Sequence, residues 1–455
     1  MNPKNLINIL LINPGWGRRI SRKGRRFNRA WPPLSLMISA ALLEKAGLRV
    51  QIVDGRVEPD WHEKLRRLTP ESNWIGLTSS PLDRWQCPNL EIEYFVDLAS
   101  SLPSDKLLIM GAHGSIFPQA MLNQTSARAV IVGEPEQTFL TLCTQENWGN
   151  IPGIVFRKDG KIYQTGRPLP TNLSNLPVPA FHLIEPSKYA YEVMGRPFAL
   201  FETSRGCPYD CNFCLKTMYG PGVRYKPIKQ LMEEIERAVK IFGFQYGYFM
   251  DLEFTSNRDH TMTICDQLIA RQYPFSWCCQ TRADALDVEL LNKMKQAGCR
   301  LIHFGIESGS PRILRETKKR TNKETIREGI RLTQGHGIEA ACFFMLGFPG
   351  ESPSEMEETL KFASELNPTY ASFHAVTPYP GTSLWSSLSS SPALQDLEMS
   401  FSSFCEGHNP VFLNKMIRKA YISYYLRLNY LLDRLRNGNP RSWLCQLNLF
   451  AEFLR

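Results

Sequence analysis

Two runs of alternating strand and helix signals, separated by a proline-rich connector, constrain this 455-residue chain more than any other feature. In the first run, INILLINP (residues 7–14) is continuously apolar, as a strand covered on both faces requires. PPLSLMISAALLEKAG follows, with prolines at its start, apolar residues at helical spacing and Gly47 as a stop. LRVQIVDG and WIGLTSS read as further strands, LEIEYFVDLASSL as a helix and DKLLIMGAHG as a fourth strand. ARAVIVGEPEQTFLTLC reads as a strand running into a helix. The alternation predicts an α/β domain over residues 1–150, a doubly wound (Rossmann-like) parallel sheet.

Residues 151–195 read as a connector: a hairpin turning at Asp159-Gly160, then the proline-rich NLPVPAFHLI. The second run, residues 196–385, begins with the strand PFALFETS and the amphipathic helix PIKQLMEEIERAVKIFG. YGYFMD, FSWCCQT, RLIHFGI, EAACFFML and TYASFHAV continue it, with helical segments between them. About six strands fall short of a full eight-unit barrel, so an open, partial (β/α)6 barrel is expected. Residues 386–455 look helical and aromatic-rich. Tyrosines occur all around that helical segment, which favours a cap on the barrel over a membrane-surface helix with one basic face.

At 43% hydrophobic and 21% charged residues, the chain can bury substantial cores. No apolar run reaches the length of a membrane span, and the start lacks the features of a signal peptide, so a cytoplasmic protein is expected. The formal charge is +9, and residues 17–29, GRRISRKGRRFNR, supply seven basic residues without an acidic one. The remainder is near neutral, so no general nucleic-acid-binding surface is implied. The basic segment reads as a solvated loop, a lid over an anionic cofactor, or a contact with acidic lipid or RNA.

Twelve cysteines in a chain this long do not make a disulfide scaffold. Most are scattered, and Cys278 and Cys279 sit in an apolar run as small core residues. Three are clustered: SRGCPYDCNFC places Cys207, Cys211 and Cys214 on one short loop. A structural zinc site wants four closed ligands, and an electron-transfer [4Fe–4S] cluster wants four cysteines. No further pair lies nearby. Three thiolates hold a cubane by three corners and leave one iron open to a small molecule. The loop follows the first barrel strand at its carboxyl end, where barrel active sites lie. The three cysteines are therefore the predicted metal ligands and catalytic centre. In the first domain, ligands of a doubly wound sheet bind outside the strands' carboxyl ends. Those ends carry Asn13-Pro14-Gly15, Thr78-Ser79-Ser80, Gly111-Ala112-His113-Gly114 and Gly133-Glu134-Pro135-Glu136.

The C-x3-C-x2-C spacing resembles that of radical S-adenosylmethionine (SAM) enzymes, and the resemblance spans about residues 197–380. It implies a [4Fe–4S] cluster whose open iron takes SAM's amino and carboxylate groups. One electron then cleaves SAM to methionine and a 5′-deoxyadenosyl radical. By the same resemblance, Phe213 lies near the adenine. Asp251 and Glu253, in MDLEFTSN, stand where many members carry a Gly-Gly-Glu turn that meets SAM's amino group. Arg282 occupies a basic position suited to the carboxylate, and Glu307 and Ser308, in GIESGS, lie near the ribose or carboxylate. Gly347 and Gly350, in MLGFPGES, form the turn beside the adenine.

The whole architecture resembles the B12-binding branch of that family, over about residues 7–435. This implies cobalamin in the cradle of Asn13, Pro14, Ser79, Gly111, His113, Gly133 and Glu134. The D-x-H-x-x-G segment that supplies a histidine to cobalt in some B12 proteins is absent, and His113 lies in GAHGS instead. The branch methylates unactivated carbon or phosphorus, closes rings as in the anaerobic magnesium-protoporphyrin ester cyclase, or oxidises. Methylation of an unactivated carbon of a small molecule or natural product is the expectation. An external one-electron reductant such as flavodoxin or ferredoxin is the expected partner, with no stable nucleic-acid partner. A methylthiotransferase would need more cysteines than Cys87 and Cys143 in the first domain. A non-catalytic iron–sulfur electron carrier would need a fourth ligand. An RNA-binding protein would bind with a steep salt dependence.

Overall fold

The computed structural model describes residues 7–16, 29–80, 92–388, 405 and 407–437. The arginine-rich segment up to residue 28, Trp85, Cys87 and the last 18 residues lie outside them.

The first apolar run becomes five parallel strands: β1 (Asn8–Asn13), β2 (Arg49–Asp54), β3 (Trp74–Thr78), β4 (Leu107–Met110) and β5 (Ala129–Ile131). They pair in the order β2-β1-β3-β4-β5. The switch point beside β1 is where the crossovers change direction and open a crevice above the strand ends. The hairpin β6 (Ile154–Lys158) and β7 (Lys161–Gln164) extends this sheet, with Val130 of β5 opposite Val155. The first domain therefore runs past residue 150 and takes in the segment that the sequence assigns to the connector. Buried Val155 and Phe156 explain this, because an isolated hairpin would leave them in water.

The second unit is a six-stranded parallel sheet of β8 (Phe198–Phe201), β11 (Tyr246–Phe249), β12 (Ser276–Thr281), β13 (Cys299–Glu307), β14 (Glu339–Leu346) and β15 (Tyr370–Ala375). Its strands pair in sequence order, which is the expected partial barrel. A short antiparallel pair, β9 (Ser204–Gly206) and β10 (Val223–Tyr225), flanks the cysteine loop. The first crossover helix starts behind Pro227 without a side-chain cap, but the helices after it begin on caps that fix where the strand-end loops stop. Asn257, Asp287, Ser310, Asn322 and Ser352 each accept from a backbone N–H in the first turn, and Ser352 with Glu355 completes a capping box.

Period-two alternation sorts the barrel side chains onto two faces. Ala199 and Phe201 join the outer core with Leu231 and Ile235 of the first crossover helix. Phe198 and Leu200 face inward and meet Trp31, Leu34, Ile38 and Leu42 of the first domain. Trp31 is 3% exposed and its ring lies 5.9 Å from Phe198 and 5.7 Å from Tyr248. The first domain thus plugs the amino-terminal half of the barrel. At the far edge the helix Pro410–Tyr425 covers β15, where the Tyr425 hydroxyl contacts both the N–H and the C=O of Ala371. Tyr421, Tyr424 and Tyr425 share one helical face and meet Phe373 and Ala371 of β15, so these tyrosines gather on the barrel side rather than all around the helix.

Candidate functional site

The loop bearing Cys207, Cys211 and Cys214 starts where β9 ends. Gly206 has φ 95°, and a Cβ there would collide with the carbonyl of Gly222, just before β10. The turn before it is held by Asp251, which accepts from the Thr203 hydroxyl at 2.8 Å and the Ser204 hydroxyl at 2.5 Å, and from the Thr203 N–H. The three loop cysteines are half-buried, whereas every other described cysteine is buried. Cys214 N–H bonds the Cys211 carbonyl at 3.2 Å, and Asn212 ties the loop to the segment after β13 through Thr317 O (3.1 Å) and Glu316 O (2.9 Å).

Burial pushes the Cys207 and Cys211 thiols up, and Glu253 and Glu307 add to this. Lys319 and Arg282 oppose it at Cys211 and Lys216 at Cys207. Around the loop, Arg282 lies over the Tyr209 ring at 4.1 Å and forks onto Asp284. Glu253 accepts from Thr255 at 2.9 Å and from Thr281. Glu307 sits at φ 69° and accepts from Lys319 at 2.5 Å, both being more than nine-tenths buried. The Phe213 and Phe348 rings meet edge to face at 6.2 Å beside the left-handed turn residues Gly347 and Gly350. The Glu351 carboxylate closes that turn, accepting from Gly347 N–H at 2.6 Å and Phe348 N–H at 3.0 Å.

Two expected cofactor contacts do other work. Asp251 is fully buried with its oxygens taken by Thr203 and Ser204, so it shapes the cysteine loop. Ser308, also fully buried, bonds Thr359 at 3.1 Å and caps Ser310 N–H. Spacing could not show this, because Thr203 and Thr359 are distant in sequence. Lys319, which sequence reasoning missed, supplies the cation nearest Glu307. Its only signal was the charge run TKKR just after GIESGS.

On the first domain, Asn13 donates to Asp54 at 2.8 Å, and Ser79 donates to Met110 O while accepting from Gly114 N–H. Pro14 is buried. Gly111 (φ 104°) has no room for a Cβ beside Ser80, and Gly133 (φ 80°) donates to Ser115. Ser115 in turn reaches Met218 at 3.1 Å, four residues past Cys214, so this rim touches the segment after the cysteine loop. His113 is fully buried against Phe117. Glu134 is not open to a ligand, which corrects its place in the cradle. It pairs with Arg205 at 2.6 Å and with Arg224. Arg205, also missed, is fully buried, and Glu136 and Glu202 complete its shell at 2.7 and 2.8 Å. Burial disfavours the Arg205 charge, but Glu136, Glu202 and Glu134 together outweigh it and hold its proton more tightly than usual.

No group of three Cys, His, Asp or Glu side chains converges as a ready-made metal cage among the described residues. The fit to an iron–sulfur cluster rests on the donor set, three half-buried thiols on one rim loop with cations beside them.

Three thiols follow the first strand of a parallel partial barrel. Residues 201–363 match the family model described as the Radical SAM superfamily, and the chain is an enzyme. Over 448 residues it is 29% identical to an uncharacterized methyltransferase of Pyrococcus horikoshii, covering 94% of each chain. It is 27% identical to the anaerobic magnesium-protoporphyrin IX monomethyl ester cyclase of Rubrivivax gelatinosus, covering 86% of this chain and 71% of the relative. It shares its fold, at a TM-score of 0.67 and 17% identity, with the radical SAM methyltransferase TsrM of Kitasatospora setae. That likeness covers 84% of this chain and 74% of TsrM. Among the described residues, no helix is long and apolar enough to cross a membrane.

Proposed function

We propose that this protein is a cobalamin-dependent radical SAM methyltransferase that methylates an unactivated carbon of a small-molecule substrate. The observation that carries the reading is the meeting of two rims. The strand-end turn at Gly133 touches, through Ser115, the segment just past the three thiols. A ligand on the first domain and one on the thiols would then share a single chamber. The P. horikoshii relative, similar over nearly its whole length, is named a methyltransferase. The solved TsrM structure, of the same fold, holds cobalamin and a [4Fe–4S] cluster.

Cys207, Cys211 and Cys214 would hold the cluster, which supplies the electron that cleaves SAM to methionine and a 5′-deoxyadenosyl radical. Lys319 and Arg282 offer cations to SAM's carboxylate, and Glu253 offers a carboxylate to its amino group. Phe213, Phe348 and the glycine turn provide an apolar wall for the adenine. Gly111 and Gly133 hold the left-handed strand-end turns on which a corrin would rest, and His113 has no open face for cobalt.

Anaerobic reconstitution tests this. Bound cobalamin should show in the visible spectrum, and reduced protein should form 5′-deoxyadenosine from SAM. Cys211→Ala should abolish that product, and turnover that survived loss of the cluster would refute the mechanism. The cyclase relative favours a second outcome, ring closure, and product mass separates the two: a gain of one methylene against a loss of hydrogen.

A further inference from the structure

We propose that the exposed end of the helix Pro311–Glu316 and the turn after it, carrying Arg315, Lys318 and Arg320, form the docking surface for an acidic one-electron carrier protein that reduces the cluster. The inference rests on the radical SAM reading above and adds the surface through which the electron enters.

This segment is bonded directly to the cysteine loop. Asn212, between Cys211 and Cys214, donates its backbone N–H to Thr317 O at 3.1 Å and its side-chain amide to Glu316 O at 2.9 Å. The Glu316–Thr317 backbone therefore packs directly on the segment between Cys211 and Cys214. Lys318 and Arg320 both hold left-handed backbone, at φ 56° and 55°. Glycine would adopt that conformation without strain, yet two long cations occupy it. The effect is to turn Lys319 inward onto Glu307 while Lys318 and Arg320 project into solvent.

The surface carries a positive surplus. Nearby Glu316 is held by Arg312 at 2.8 Å, and Asp210 lies 3.6 Å from Lys216. Arg315, Lys318 and Arg320 are exposed and make no ion pair among the described residues. A patch of one sign beside a redox centre steers a partner of the other sign and fixes its orientation. The required chemistry is simple: the reduced carrier loses one electron, the cluster gains one, and no bond or proton moves. An acidic flavin carrier and an acidic iron–sulfur carrier share this chemistry.

The test uses the reconstituted full-length holoenzyme, with reduced flavodoxin and reduced ferredoxin as separate probes. Cluster bleaching is followed by stopped flow, and carrier binding by calorimetry, at low and high ionic strength. With at least one carrier, Lys318→Glu/Arg320→Glu should slow reduction about tenfold or more at low salt, weaken binding and flatten the salt dependence. Lys318→Gly/Arg320→Gly removes both charges while relieving the backbone, so it guards against misfolding and should slow the same carrier. The end-point yield of 5′-deoxyadenosine with excess dithionite should not change in either variant. Unchanged reduction rates and binding in both variants with both carriers would overturn the docking surface alone. A wild-type holoenzyme that forms no 5′-deoxyadenosine even with dithionite would overturn the radical SAM reading, and this proposal with it.

Discussion

Arg205 Nη1 lies 2.6 Å from Glu134 Oε2, joining the residue two before the first loop cysteine to the carboxyl rim of the other domain. Glu136, Glu202 and Arg224 complete a buried ionic knot around the pair. A guanidinium can fork onto several carboxylates at once, which a lysine cannot reproduce.

Removing that cation takes a counter-ion from three buried carboxylates, of which Glu134 keeps Arg224. Arg205→Met should cost about 4 kcal/mol and split one cooperative melting transition into two, as read by calorimetry. Glu134→Gln in the same chain should recover part of the loss. A single unshifted transition in Arg205→Met would show that the knot does not couple the domains.

Gly206→Ala should damage the cysteine loop specifically. The left-handed φ of 95° and the Gly222 carbonyl both oppose a Cβ. The backbone strain alone costs about 1–3 kcal/mol. Iron retained after reconstitution should fall more than the far-ultraviolet circular dichroism does.

Lys319→Met leaves Glu307 buried without its cation. SAM affinity of the reconstituted protein should fall about tenfold or more, since a charge-assisted contact is worth about 1.5–3 kcal/mol. Lys319→Arg should recover part of it. Equal SAM affinity in wild type and Lys319→Met would remove Lys319 from the carboxylate site.

Burial pushes the Glu351 carboxyl up from 4.5 to about 7, against the lowering by Gly347 and Phe348 N–H. The folded protein therefore binds this proton more tightly than the unfolded chain. The associated stability, about 3 kcal/mol at most, is full below pH 4.5 and lost as pH rises through 7. Glu351→Gln mimics the protonated form, so its urea midpoint should decline less between pH 5 and pH 8 than that of the wild type.

The architecture was legible in the sequence because period and punctuation are local signals. INILLINP, PPLSLMISAALLEKAG and the cysteine spacing each announce themselves within a short window. Partnership across long separations was not legible. Arg205 and Glu134 stand 71 positions apart, and no local pattern marks either as the other's counter-ion. Asp251 was placed near SAM by motif, yet its acceptors are satisfied by hydroxyls 47 and 48 residues away. The hairpin at residues 154–164 was assigned to a connector because a strand's sequence does not say which sheet edge it joins.

Trp31 and the helix that follows it pack among Tyr191, Phe198 and Tyr248, so the inner face of the barrel at its amino-terminal half is filled with rings rather than solvent. Whatever the barrel admits from the opposite rim can reach no deeper than that indole.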